Sequence, residues 1–364
     1  MEFVVRNLPY CYKCGAELKE DDKFCHVCGT PVSVPSATEY EKSSYPRRPR
    51  VHLFIPVIIL VAILLTAMII GVLVFVPMHA VSFNKLEEIT SQTGIETLNL
   101  NFTADLARVN VTFEHLVDKL VVLNVSATGN AGMFAPSNAT DFAFNYTFNG
   151  NVLTVTSRVT TSYIWSWSPW LKVACDLHID QSLKANLNIK TSTGKIDVNT
   201  KAGVVLDSLD LETGTGGVEA RLVKNTVVNG DILVKTVTGG VQFSWDNVKA
   251  SSNVSVRTET TTGGISLNVV QNQSIPANVT MNAQATTGGI DLNIGIHDDV
   301  AAKIVSTVTT GGIHVDSQTG FNGTKSLLQS SNYPTGSNFN INLKTTTGGI
   351  NIAAEYTSGT ILSA

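Results

Sequence analysis

Four of the five cysteines of this 364-residue chain fall at Cys11, Cys14, Cys25 and Cys28, within the run CYKCGAELKEDDKFCHVCG. Two C-x-x-C-G knuckles separated by ten residues can each aim two sulfurs at one metal ion. Four thiolates at about 2.3 Å are the tetrahedral shell that zinc takes in structural sites. Gly15 and Gly29 follow the knuckles, where a backbone without Cβ lets amides turn toward the sulfurs. A rubredoxin-like iron site is the competing reading, because a thiolate-rich shell suits both metals. Zinc is the expected cofactor, since nothing in the chain suggests an electron partner. A full sulfur shell leaves no open position for water or substrate, which argues against catalysis at the metal. His26, inside the second knuckle, reads as exposed rather than as a ligand, and Cys175 as a lone buried thiol.

Two other constellations carry chemistry-bearing side chains. Asp197, Glu219, Gln242, Ser266, Asp291, His314 and Asn351 recur at one position of an internal repeat. Their types are mixed and contain no repeated carboxylate pair, so the column reads as a solvated ladder and not as an acid–base site. No catalytic residues are assigned, and the protein is read as a non-enzyme. Tyr163, Trp165 and Trp167 alternate along a strand, with Pro169 and Trp170 beyond. Such a face can bind glycan or lie at a bilayer interface, although a packed core is the simpler expectation. Charge excludes another class. Only 15% of residues are charged and the net charge is −4, which provides no cationic field for nucleic acid. Within residues 1–30, Arg6, Lys13, Lys19 and Lys23 face Glu2, Glu17, Glu20, Asp21 and Asp22. Protein docking is therefore the expected role of this end, and no nucleic-acid partner is expected.

The elements that must position these residues fall into segments. Residues 1–33 hold the cysteines, and residues 34–52 form a linker ending in Arg47, Arg48 and Arg50, suited to anionic headgroups. From Leu53 to Val76 no residue is charged. A helix over residues 53–76 would be about 36 Å long, enough to cross a bilayer core. A cleaved signal peptide is the alternative, but the apolar run is longer than such a segment needs. The basic residues before the helix place the N-terminus in the cytoplasm and the remainder outside. Nine N-x-S/T triplets, from Asn101 to Asn322, all lie beyond it.

Residues 186–364 contain a repeat: STGKIDV, GTGGVEA, VTGGVQF, TTGGISL, TTGGIDL, TTGGIHV and TTGGINI. Their first apolar residues, from Ile196 to Ile350, are spaced by 22, 23, 24, 25, 23 and 37 residues. Period-two alternation on both sides of Thr-Gly-Gly predicts strand, tight corner, strand. A unit this short cannot bury a core alone, so a mainly β, membrane-anchored β-solenoid of about seven coils is the expected fold. Two antiparallel sheets with similar hairpins are the alternative. The threonines next to the glycines are expected to hydrogen-bond along a ladder, and Gly264 and Gly289 to turn corners at positive φ. Residues 81–185 alternate as well and read as a β region capping the membrane-proximal end.

Two resemblances follow. From Tyr10 to Val32, including Phe24, Thr30 and Pro31, the chain resembles the short zinc-ribbon family, and Cys11, Cys14, Cys25 and Cys28 match that family's ligand positions. From Asp176 onward it resembles a prokaryotic β-strand-repeat family described as adhesins of unknown function. That resemblance implies a membrane-attached surface domain and carries over no ligand or catalytic residues. The expected function is structural or adhesive display at the cell surface by a single-pass protein, with an envelope glycan or protein as partner outside. A cytosolic protein partner is expected at the zinc ribbon. An envelope-state sensor signalling through the ribbon is the alternative.

Overall fold

The computed structural model describes residues 10–19, 22–32, 51–75, 79–131, 140–161, 171–297 and 299–357. The chain divides into two compact units, Met1–Ala67 and Met68–Ala364. Most of the linker, and the aromatic run Tyr163 to Trp170, lie outside the described residues.

A helix, α1 (Val51–Phe75), occupies the apolar segment. No helix is long and apolar enough to cross a membrane among the described residues. The expected transmembrane helix is corrected accordingly.

The strands up to the first repeats are β1 (His79–Thr90), β2 (Thr97–Leu106), β3 (Arg108–Glu114), β4 (Lys119–Ala131), β5 (Thr140–Asn149), β6 (Val152–Thr161), β7 (Lys172–Asp180), β8 (Lys184–Thr193) and β9 (Ile196–Asn199). There follow β10 (Val205–Thr215), β11 (Val218–Leu222), β12 (Val227–Val228), β13 (Ile232–Thr238), β14 (Val241–Asp246), β15 (Lys249–Ala250), β16 (Val254–Thr262) and β17 (Ile265–Gln271). The last are β18 (Val279–Thr287), β19 (Ile290–His297), β20 (Val300–Thr310), β21 (Ile313–Thr319), β22 (Phe321–Thr324), β23 (Leu327–Ser330), β24 (Ser337–Thr347) and β25 (Ile350–Thr357).

These strands build two large mixed sheets. The 11-stranded sheet runs β1-β4-β7-β3-β9-β11-β14-β17-β19-β25-β21, and the 14-stranded sheet has the main path β22-β23-β20-β24-β18-β16-β13-β10-β8-β2-β6-β5. Each T-G-G corner passes the chain from the larger sheet to the smaller, and like residues pair in parallel, as Ile265 with Ile290 and Thr262 with Thr287. Antiparallel strands close the ends: β5 on β6, β4 on β7, β1 on β4 and β23 on β20.

The expected seven-coil solenoid is therefore also corrected. A solenoid with one coil per repeat stacks its coils in chain order, whereas here β24 and β25 insert between β18/β19 and β20/β21. At the other end β2 and β3 pair with β8 and β9 in the register of the repeats, and β6 and β7 lie beyond them. The β2–β3 corner reads Leu106-Ala107-Arg108 and contains no glycine, so the repeat signature could not reveal it.

Alternation supplies the core. Inward side chains such as Leu187, Leu211, Val234 and Val256 are buried between outward polar neighbours. The two inner faces meet where the Trp245 and Phe339 rings pack edge to face at 5.9 Å. Both side chains are fully buried, and the Trp245 indole N–H donates to Gln271 Oε1 at 3.0 Å.

The corner corrects which glycine matters. The first glycine of each corner adopts positive φ, between 137° and 147° at Gly194, Gly216, Gly239, Gly263, Gly288, Gly311 and Gly348. A Cβ added there would fall 1.8–2.1 Å from the carbonyl oxygen of the adjoining layer. At Gly264 and Gly289 φ is not positive, and a Cβ would meet the neighbouring carbonyl at 3.6 and 3.4 Å. The threonines beside the glycines are exposed. Those two residues earlier are buried, and Thr213, Thr236, Thr260 and Thr345 donate to a glycine carbonyl of the adjoining layer at 2.9–3.0 Å.

Candidate functional site

The N-terminal unit builds the cysteine site from two equivalent turns. In the first, the Cys11 amide donates to Ala16 O at 2.7 Å and the Gly15 amide to Cys11 O at 2.8 Å. In the second, the Cys25 amide donates to Thr30 O and the Gly29 amide to Cys25 O, both at 2.8 Å. Gly15 and Gly29 hold φ of 75° and 70°, with open space where a Cβ would stand, so backbone conformation is the reason for glycine at both. Isolated bridges Tyr10–Glu17 and Phe24–Pro31 close the two turns.

The four sulfurs converge within 4.8 Å of one another. Cys11 Sγ lies 3.7 Å from Cys28 Sγ, and Cys14 Sγ 3.6 Å from Cys25 Sγ. A tetrahedron with 2.3 Å arms has edges of about 3.8 Å, and a disulfide would need about 2.0 Å. The donor set and its spacing thus fit one metal ion. Cys11 and Cys25 are buried while Cys14 and Cys28 face solvent. His26 is exposed and lies outside the cluster.

Hydrogen bonds already favour thiolates at two positions. Amides of Lys13 and Cys14 lower the Cys11 pKa. The Thr30 hydroxyl, 3.1 Å from Cys28 Sγ, leads in pulling that thiol down to about 6. At Cys14 the Ala16 amide also favours the thiolate, but Cys28, desolvation and the neighbouring Cys25 together outweigh it and push the thiol up to about 12. Four sulfurs this close share negative charge comfortably only around a cation. Thr30 is the supporting residue that ligand spacing alone does not identify; its position two residues after Cys28 is the signal.

The ladder expected at Asp197 to Asn351 divides in two. Gln242, Ser266, Asp291, His314 and Asn351 are exposed. Asp197 and Glu219 are buried, 6% and 8% exposed. Lys195 Nζ bridges them at 2.5 Å from Asp197 Oδ1 and 2.7 Å from Glu219 Oε2. Arg108 reaches Asp197 at 3.1 Å, and Arg221 pairs with Glu219. This network of alternating charges is a structural tie across β3, β9 and β11. Cys175 is fully buried, and burial followed by the Asp176 charge pushes its thiol up to about 12.

No family model matches the chain, and no curated protein matches it. Among solved structures it is similar to one described as a "putative cell adhesion protein" from Clostridium sporogenes, with 13% identity and a TM-score of 0.35, over 75% of this chain and 100% of that one. A "putative adhesin" from Bacteroides fragilis is 8% identical with a TM-score of 0.31, over 75% and 97% of the two chains. Another, from Parabacteroides merdae, is 10% identical with a TM-score of 0.22, over 75% and 95%.

Proposed function

We propose that this is a non-enzymatic, membrane-attached protein that displays an adhesin-like β unit at the cell surface, with zinc at Cys11, Cys14, Cys25 and Cys28 holding a small protein-docking module. The observation that carries the surface reading is the regular outward face of the sheets. Asn186 Nδ2 donates to Asn99 Oδ1 and Ser208 Oγ to Asn186 Oδ1, both at 2.9 Å. Asn342 donates to Asn282 at 2.9 Å, and Asn351 to Asp291 at 2.7 Å. Such rows present weakly charged hydrogen-bonding groups at strand spacing over a stiff core, which suits repetitive contact rather than chemistry. Attachment is supported by α1, where Val57, Ile58, Ile59 and Leu60 are all 53–65% exposed and need an apolar medium.

Zinc is supported by the all-sulfur donor set, and it would supply the folding energy that so small a module lacks. The functional reading is tested by labelling intact cells with an antibody against the β unit and by scoring attachment of cells with the gene deleted. Surface labelling and reduced attachment are expected. Labelling that needs permeabilised cells would overturn the reading.

A further inference from the structure

We propose that the outer face of the 14-stranded sheet carries a binding cleft for an extended, carboxylate-bearing polysaccharide, a uronic-acid polymer, held at its two ends by Arg158 and Lys235. The proposal rests on the surface reading only for where the polymer is met. The cleft has a volume of about 610 Å³ and crosses β6, β2, β8, β10 and β13. Register places its side chains in one row: Arg158 opposite Thr103, Thr103 opposite Lys190, Lys190 opposite Glu212 and Glu212 opposite Lys235.

The charges of that row are unequally engaged. Lys190 Nζ is committed to Glu212 Oε1 at 2.6 Å and lies 3.5 Å from Asp210. Lys235 stands 3.8 Å from the same Glu212 and is 41% exposed, a loose contact that solvent screens. Arg158 is exposed and has no ion pair among the described residues. The two available cations stand four strand steps apart, about 19 Å. A single small anion cannot reach both, but an extended polymer can. Between them Thr103 and Ser192 offer hydroxyls, while Glu212 and Asp105 accept hydrogen bonds from sugar hydroxyls. A chain alternating hydroxyls with spaced carboxylates satisfies both sets, and the Arg158 fork suits a carboxylate. Lys235 also lines a second hollow of about 450 Å³, where the carboxylates of Asp210, Asp231 and Glu259 outnumber Lys235 and Arg257, so the track for an anionic polymer ends at Lys235.

The test measures binding of the full-length chain, in detergent micelles, to immobilised polygalacturonate, with neutral dextran as control. Wild type should bind polygalacturonate and not dextran. Arg158→Ala and Lys235→Ala should each weaken binding at least about fivefold, the double variant should abolish it, and Lys235→Arg should restore it. Lys344→Ala, on the same row in β24 but outside the cleft, should bind as wild type. Absence of wild-type binding, equal binding of dextran, or equal weakening by Lys344→Ala would overturn the cleft. A chain labelled on intact cells that ignores polygalacturonate loses this ligand and keeps the surface reading. Binding by a chain that is not surface-labelled does the reverse.

Discussion

Lys195 occupies the one place where the second glycine of the repeat is missing, and its ammonium joins two buried carboxylates. Desolvation opposes the charge, but the hydrogen bonds that the ammonium donates to Asp197 and Glu219 prevail and raise the lysine pKa. A raised pKa means the bridge contributes fully below the ordinary lysine value and is lost as pH rises through the folded one. Lys195→Gly restores the repeat yet strips Asp197 and Glu219 of a shared partner. It should lower stability by about 1–2 kcal/mol in denaturant melts, less at strongly alkaline pH. Stability unchanged in Lys195→Gly would mean Arg108 and Arg221 suffice. At the other end of the chain the four sulfurs act as a set. Purified wild type should contain one zinc per chain by metal analysis, and Cys25→Ser should lose it.

At the scale of the element, the corner decides which positions tolerate change. Gly263→Ala places a Cβ 1.8 Å from the Gly239 carbonyl oxygen at a φ of 145° and should cost about 3 kcal/mol or more. Gly264→Ala meets only an ordinary contact and should cost under about 1 kcal/mol. Equal melting of the two variants would contradict this corner geometry. A second element test concerns Asp180, which accepts from the Leu116 amide at 2.8 Å and from the Ser182 amide at 2.9 Å. Burial works to raise its pKa, but bonds from Ser182 and Leu116 outweigh it, and the pKa is lowered. Its contribution is therefore present at neutral pH and lost as pH falls through the lowered value. Asp180→Ala should destabilise by about 1–3 kcal/mol at pH 7 and by less under strong acid. Much of this was readable in advance. Alternation around Thr-Gly-Gly located the strands, and the C-x-x-C spacing located the sulfurs. The choice between two adjacent glycines was not readable, because both look alike until a carbonyl is placed above one of them. The β2–β3 unit was hidden for a similar reason: at Ala107 the chain does not adopt positive φ, so no glycine marks it.

At the scale of the whole β unit, stacking order departs from chain order, and this has a mechanical consequence. If the repeats stacked in sequence, β24 and β25 would be the outermost layer, and removing them would trim an end. They lie instead between β18/β19 and β20/β21, pairing on both sides in each sheet. Phe339 of β24 is fully buried against Trp245 of β14, so this late segment also completes the middle of the core. Phe339→Ala should cost about 3–5 kcal/mol, as for a large aromatic removed from a packed interior. Deleting residues 337–364 should be worse than any peripheral trim. It uncovers Met281 and Ala283 on one side and Ala302 and Ile304 on the other, all buried in the intact protein. The broken register leaves β20/β21 without its parallel neighbour, so hydrogen exchange in β20 and β18 should accelerate together in the truncated chain. Exchange that accelerates in β25-adjacent residues of one side only would show that the late segment is an end layer after all.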